Sequence, residues 1–98
     1  MSEETIRERL ARLLREGPRT SRDLSRLAGI REHDVAEHLE HLARSLRARG
    51  ERLEREPPAC FECGFVFRER RRTTRPGHCP ACRSVRISLP RFWIETDR

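Results

Sequence analysis

The chain contains no lysine; all 22 of its basic residues are arginine. A complete absence of Lys fits a GC-rich coding sequence, so the high isoelectric point alone says little about partners. There is no hydrophobic run near the roughly 18 apolar residues that a membrane span needs, which excludes a membrane helix. Residues 1–17 are charged throughout and carry no leader pattern, so an oxidising compartment is not indicated and a cytoplasmic protein is expected. No nucleophile stands in a pattern that pairs it with a base, and no pocket-forming loop stands out. An enzyme is therefore not expected, nor a small-molecule substrate. Cysteine is absent everywhere except between residues 60 and 82.

What that stretch holds is specific. Cys60-Phe61-Glu62-Cys63 and Cys79-Pro80-Ala81-Cys82 form two C-x2-C pairs with fifteen residues between them. Two residues between paired cysteines allow a tight knuckle in which both sulfurs face one ion and backbone amides donate to them. Two knuckles make a closed tetrahedral thiolate cage, the usual structural zinc site, with no position left for a reactive water. One structural Zn(2+) per chain on Cys60, Cys63, Cys79 and Cys82 is expected. His78 beside Cys79 finds no room once four thiolates are in place. A module this small cannot bury much apolar surface, so metal binding should supply a large part of its folding free energy.

Charge divides the chain unevenly. Residues 1–56 hold 13 Arg against 12 acids, and residues 57–98 hold 9 Arg against 4 acids. The positive field, which favours nucleic acid or an acidic protein surface, therefore belongs to the cysteine-bearing half. Two units are expected: 1–56 helical and 57–98 a metal ribbon.

In the first unit, Ile6, Leu10, Leu13 and Leu14 predict an amphipathic helix over 3–16, with Ser2 as cap and Gly17-Pro18 as stop. Glu3 with Arg7 and Glu8 with Arg12 would pair along its wet side. Thr20 or Ser21, with Asp23 in a capping box, opens a short helix that buries Leu24, Leu27 and Ala28 and ends at Gly29; Ile30 plugs the turn. A third helix runs over about 32–48 with Val35, Leu39, Leu42 and Leu46 inward, although Arg31 stands where a capping Ser or Thr is more usual. Gly50 turns the chain into a short strand near Leu53–Glu56, stopped by Pro57-Pro58. In the second unit, Phe65-Val66-Phe67, Val85-Arg86-Ile87 and Phe92-Trp93-Ile94 read as strands. Their aromatics are expected to cover the metal site or the interface with the helical half. Arg68 to Arg75 loops out with five Arg in eight positions. The last residues, 95–98, are expected to fray.

Short helix, glycine turn and longer helix make a helix-turn-helix signature. The line Leu24-x2-Leu27-Ala28-Gly29-Ile30-x4-Val35-x3-Leu39-x2-Leu42 resembles winged helix-turn-helix repressor domains. With Glu56-Pro57-Pro58-Ala59-Cys60, Cys63-Gly64-Phe65-Val66-Phe67 and Cys79-Pro80-Ala81-Cys82, nearly the whole chain resembles a family of small transcriptional regulators. In that family a winged helix-turn-helix is fused to a C-terminal rubredoxin-like zinc ribbon. The resemblance implies an α+β fold, three-helix winged helix-turn-helix followed by a small antiparallel zinc ribbon, and a role in transcription. One departure touches the iron alternative: rubredoxins carry Gly after both knuckles, whereas Arg83 follows the second here.

The helix that would enter a DNA groove is acidic. Arg31 stands against Glu32, Asp34, Glu37 and Glu40, with His33, His38 and His41 among them. Acids near a helix start suit the helix dipole, yet in a groove they repel phosphates. Phosphate contacts are therefore expected from Arg31, Arg44, Arg47, Arg49, Arg52, Arg68, Arg70, Arg71, Arg72 and Arg75, with weak sequence preference. The first expectation is a regulator on double-stranded DNA. The second is a protein–protein adaptor in a transcription or nucleic-acid machine, with the acidic helix toward a basic partner. Rubredoxin-like electron transfer through iron is the third.

Overall fold

The computed structural model describes residues 3–69 and 72–96. Helix α1, Ile6–Glu16, starts later than the expected residue 3, because Thr5 rather than Ser2 caps it. The Thr5 hydroxyl accepts from the Glu8 amide at 3.1 Å and the Glu8 carboxylate accepts from the Thr5 amide at 3.0 Å. Ser2 lies outside the described residues. The expected ion pairs along α1 re-form around Glu4, which takes Arg12 at 3.0 Å and Arg9 at 3.4 Å. Strand β1 is the dipeptide Arg19–Thr20. Helix α2, Ser21–Ala28, opens on the same kind of box from Thr20 and Asp23 and closes on Gly29, whose φ of 72° is left-handed. Leu24 and Ala28 are buried as expected, but Leu27 is 46% exposed.

Helix α3, Val35–Ala48, is entered through a single 3-10 turn, Glu32–Asp34. Neither Arg31 nor Asp34 caps it through a side chain, which is the local cost of having no Ser or Thr there. Val35, Leu39, Leu42 and Leu46 all face inward. They meet Leu10, Leu13 and Leu14 of α1 and Leu24 of α2 in the main core, with Ile30 packed at its edge.

Gly50, at φ 73°, turns the chain into strand β2, Glu51–Glu56. Strand β3, Arg91–Thr96, lies in the middle of a three-stranded antiparallel sheet of order β1-β3-β2. Leu53 faces Ile94 and Arg55 faces Phe92 across β2 and β3. Phe92 is 4% exposed in the main core, and Leu53 and Ile94 pack against it. Side chains alternate across a strand, so Trp93, Arg91 and Glu56 stand on the other face.

This placement corrects the expectation that Phe92-Trp93-Ile94 belongs with the ribbon. The strand returns to the helical half, and the cysteine module, residues 57–90, is inserted between β2 and β3. The physical reason is supply of apolar partners. The module's own buried cluster is Cys60, Cys79 and Ile87 with Phe67 against it, too small to cover Phe92 as well. The open side of the three-helix core can. Within the module the expected strands at 65–67 and 85–87 shrink to single bridges, Ala59 with Val66 and Cys60 with Ile87. Glu95 and Thr96 belong to β3; residues 97 and 98 lie outside the described residues. Among the described residues no helix is long and apolar enough to cross a membrane.

Candidate metal centre

The two C-x2-C segments fold as near copies. In the first, the Cys60 amide donates to the Phe65 carbonyl at 2.8 Å and the Gly64 amide to the Cys60 carbonyl at 3.0 Å. In the second, the Cys79 amide donates to the Ser84 carbonyl at 2.8 Å and the Arg83 amide to the Cys79 carbonyl at 2.8 Å. Each ring curls the chain so that its two thiols point inward. The Phe61 amide then donates to the Arg86 carbonyl at 2.9 Å and ties the knuckles together.

The four sulfurs of Cys60, Cys63, Cys79 and Cys82 lie within 4.8 Å of one another. Cys60 and Cys82 are 3.6 Å apart at Sγ, as are Cys63 and Cys79. A tetrahedron with metal–sulfur bonds near 2.3 Å has an edge of about 3.8 Å, so the donor set fits a four-coordinate ion. Backbone amides aim at the sulfurs, and the Ala81 amide lies 3.4 Å from Cys79 Sγ. The amide of Cys63 leads in pulling the Cys60 thiol down to about 7. The amide of Ser84 acts the same way on Cys82, but burial and the surrounding thiols outweigh it and push Cys82 up to about 12. Cys63 rises too, as burial and the Cys79 thiol overcome the Phe65 amide. Crowded thiols resist shedding their protons together, and a divalent cation at their centre removes that conflict.

All four cysteines named from the sequence come together. The described arginines differ in whether an acid engages them. Arg31 is tied to Asp34 at 3.0 Å, and Arg52 reaches Glu54 at 3.2 Å and Glu95 at 3.4 Å. Arg49 stands near Glu8 and Glu51 and lowers both carboxyls, as a lesser influence beside their hydrogen bonds. Arg44 and Arg47 are exposed on α3 and have no acidic partner among the described residues. Arg68, Arg72 and Arg75 are likewise exposed and without an acidic partner among the described residues. Arg70 and Arg71 lie outside the described residues. Among the described residues the four cysteines form the cluster of metal-ligating side chains.

Two residues matter to the geometry in ways that sequence reasoning did not anticipate. Ser21, fully buried at the start of α2, donates to the Thr73 carbonyl at 3.2 Å and lies 3.4 Å from Glu32 Oε1. It pins the arginine-rich loop against α2 and the entrance to α3. A Ser at a helix start reads as a cap, so the sequence carries no signal for this contact. Phe61, between the first two cysteines, is 70% exposed. Its position inside the C-x2-C spacing, at a knuckle tip, was a readable sign that it would shield nothing.

Fold and site together define a small α+β protein of three helices and a three-stranded antiparallel sheet carrying a four-cysteine cluster able to hold a metal ion. The chain belongs to the PF0610-like family, whose N-terminal domain matches residues 5–53. It is similar over its length to the solution NMR structure of protein PF0610 from Pyrococcus furiosus. The TM-score is 0.77 at 31% identity, covering 99% of this chain and 94% of that one. No curated protein matches the chain.

Proposed function

We propose that the protein is a DNA-binding transcriptional regulator of winged helix-turn-helix type, with a structural zinc ion in its four-cysteine module. In this reading α2 and α3 are the helix-turn-helix pair, β2 and β3 are the arms of the wing, and the metal module stands in place of the wing's loop. The observation that carries it is the contact of Ser21 with Thr73. It sets the arginine-rich loop at the α2 end of the helix pair, while Arg44 and Arg47 stand near the far end of α3. Guanidinium groups without an acidic partner among the described residues therefore flank an acidic helix from both ends. Phosphates on either side of a groove would take those cations, and sequence preference would be weak because few cations face the bases. Four thiolates in a closed shell suit zinc and leave no place for catalysis.

Fluorescence anisotropy of the zinc-loaded protein against a mixed-sequence duplex, from about 50 to 300 mM salt, tests this reading. Affinity should fall steeply with salt. Replacing Arg44 and Arg47, or Arg68, Arg72 and Arg75, with Ala should weaken binding on all sequences and flatten the slope. The triple replacement of Arg70, Arg71 and Arg72 should act likewise. Absence of binding at the lowest salt overturns the reading.

That outcome would favour the adaptor, for which one observation speaks. The front of α3 keeps Glu32, Glu37 and Glu40, and its Arg31 is already spent on Asp34. A basic protein surface fits that face better than a phosphate backbone does. An iron-loaded electron carrier is the remaining reading, and it predicts a coloured protein with reversible one-electron chemistry.

A further inference from the structure

A cleft of ≈ 410 Å³ opens where the metal module meets the sheet. Phe61, Ile87 and Leu89 supply its apolar walls, and Arg75, Arg91 and Glu56 its charged ones. Arg91 Nη2 reaches both carboxylate oxygens of Glu56, at 2.7 and 2.9 Å, so that pair adds no net charge to the cleft. Arg75 has no acidic partner among the described residues. The cleft therefore offers apolar walls and a guanidinium group still to be neutralised.

The module around it leaves large apolar side chains in water. Phe61 is 70% exposed and Val85 68% exposed. They sit on paired segments, since the Phe61 amide bonds the Arg86 carbonyl next to Val85. Neither contributes to the buried cluster of the module. Adjacent exposed apolar side chains at the mouth of a cleft are the usual mark of a docking surface.

We propose that this cleft docks a segment of a protein partner that carries a bulky apolar side chain beside a carboxylate. The apolar side chain packs against Phe61 and Leu89, and the carboxylate takes Arg75. Charge selects the class of partner. Residues 57–90 hold seven Arg against two acids, so an acidic segment is drawn in and a basic one repelled. The walls also decide against a nucleic acid at this place. A base needs aromatic faces to stack on, whereas Ile87 and Leu89 are aliphatic and Phe61 stands alone among them. The surface is separate from Arg44 and Arg47 but shares Arg75 with the proposed DNA contacts, so peptide and duplex compete for that one guanidinium group.

The test uses the full metal-loaded chain and a short fluorescein-labelled peptide of Asp and Glu around one central Leu, read by anisotropy. The peptide should bind, and the same peptide with Ser for Leu should bind about tenfold more weakly, 1.4 kcal/mol. Phe61→Ala and Arg75→Ala should each cost a similar factor, while Arg44→Ala with Arg47→Ala should bind as the parent does. Metal content and melting temperature are read for each variant, and Phe61→Leu, which keeps an apolar side chain, should retain most of the affinity. Three outcomes overturn the proposal. The peptide does not bind the parent protein; or Phe61→Ala binds it unchanged, which leaves only charge attraction; or Phe61→Ala instead weakens single-stranded DNA while the peptide does not compete for it.

Discussion

Gly64 and Arg83 hold the same place in the two metal knuckles and share a left-handed backbone, at φ 79° and 66°. Each donates its amide to the carbonyl of the first cysteine of its pair. Gly adopts that conformation freely, whereas a residue with a Cβ is disfavoured there by about 1–2 kcal/mol. The second knuckle is therefore folded against a strain that the first does not carry.

Replacing Arg83 with Gly should relieve this strain. Part of the gain is offset by the greater freedom of Gly in the unfolded chain, so a net stabilisation of about 0.5–1 kcal/mol is expected. Gly64→Ala should cost about 1 kcal/mol from the backbone alone, because a Cβ there would meet nothing within 4 Å. Denaturant midpoints of the metal-loaded proteins decide both. An unstable Arg83→Gly variant would mean that the side chain of Arg83 does something its backbone conformation hides.

Removing the metal should unfold one part of the molecule and spare the other. The module's buried cluster is Cys60, Cys79 and Ile87, while the helical half keeps a core built from all three helices and β3. Closed thiolate sites supply on the order of 10 kcal/mol of folding free energy. A chelator should therefore abolish amide protection in residues 57–90 and leave the far-UV helical signal nearly intact. Parallel loss of both signals would show that the sheet cannot close without the module.

Ser21→Ala should release the arginine-rich loop. The substitution leaves the Thr73 carbonyl without its donor in a part-buried contact, a loss of about 1 kcal/mol. Amide exchange at residues 72–75 should speed up while α2 keeps its protection, since the cap comes from Thr20 and Asp23. Thr20→Ala is the contrasting case: it should cost about 1 kcal/mol through the helix itself.

Arg15 donates to the two carboxylate oxygens of Glu51 at 2.9 and 2.7 Å, and this hydrogen bonding holds the Glu51 carboxyl below its usual 4.5. A carboxyl depressed in the folded state stabilises the protein fully above its unfolded value. That contribution is lost as pH falls through the folded one. Glu51→Gln should therefore cost about 0.5 kcal/mol at neutral pH, the scale of a half-exposed ion pair, and progressively less as the pH drops below 4.5. Thermal melts of both proteins across the acid range check the sign; a gap that widens toward acid would refute it.

Local chemistry made much of this protein readable. Apolar residues three and four apart placed the inward faces of α1 and α3. The box of Thr20 with Asp23, the glycines at 29 and 50, and the spacing of the four cysteines each act within a few residues, so sequence alone determined them. The tertiary structure decided what depends on distant surfaces competing for the same partner. Phe92 left the module because the helical core could bury it and the module could not, and this put the module between two strands instead of after them. Ser21 found Thr73, and Arg75 was left without an acid among the described residues, for a similar reason. Which carbonyl or carboxylate a side chain meets across the fold is set by how the two halves pack, and that packing has no period in the sequence from which to read it.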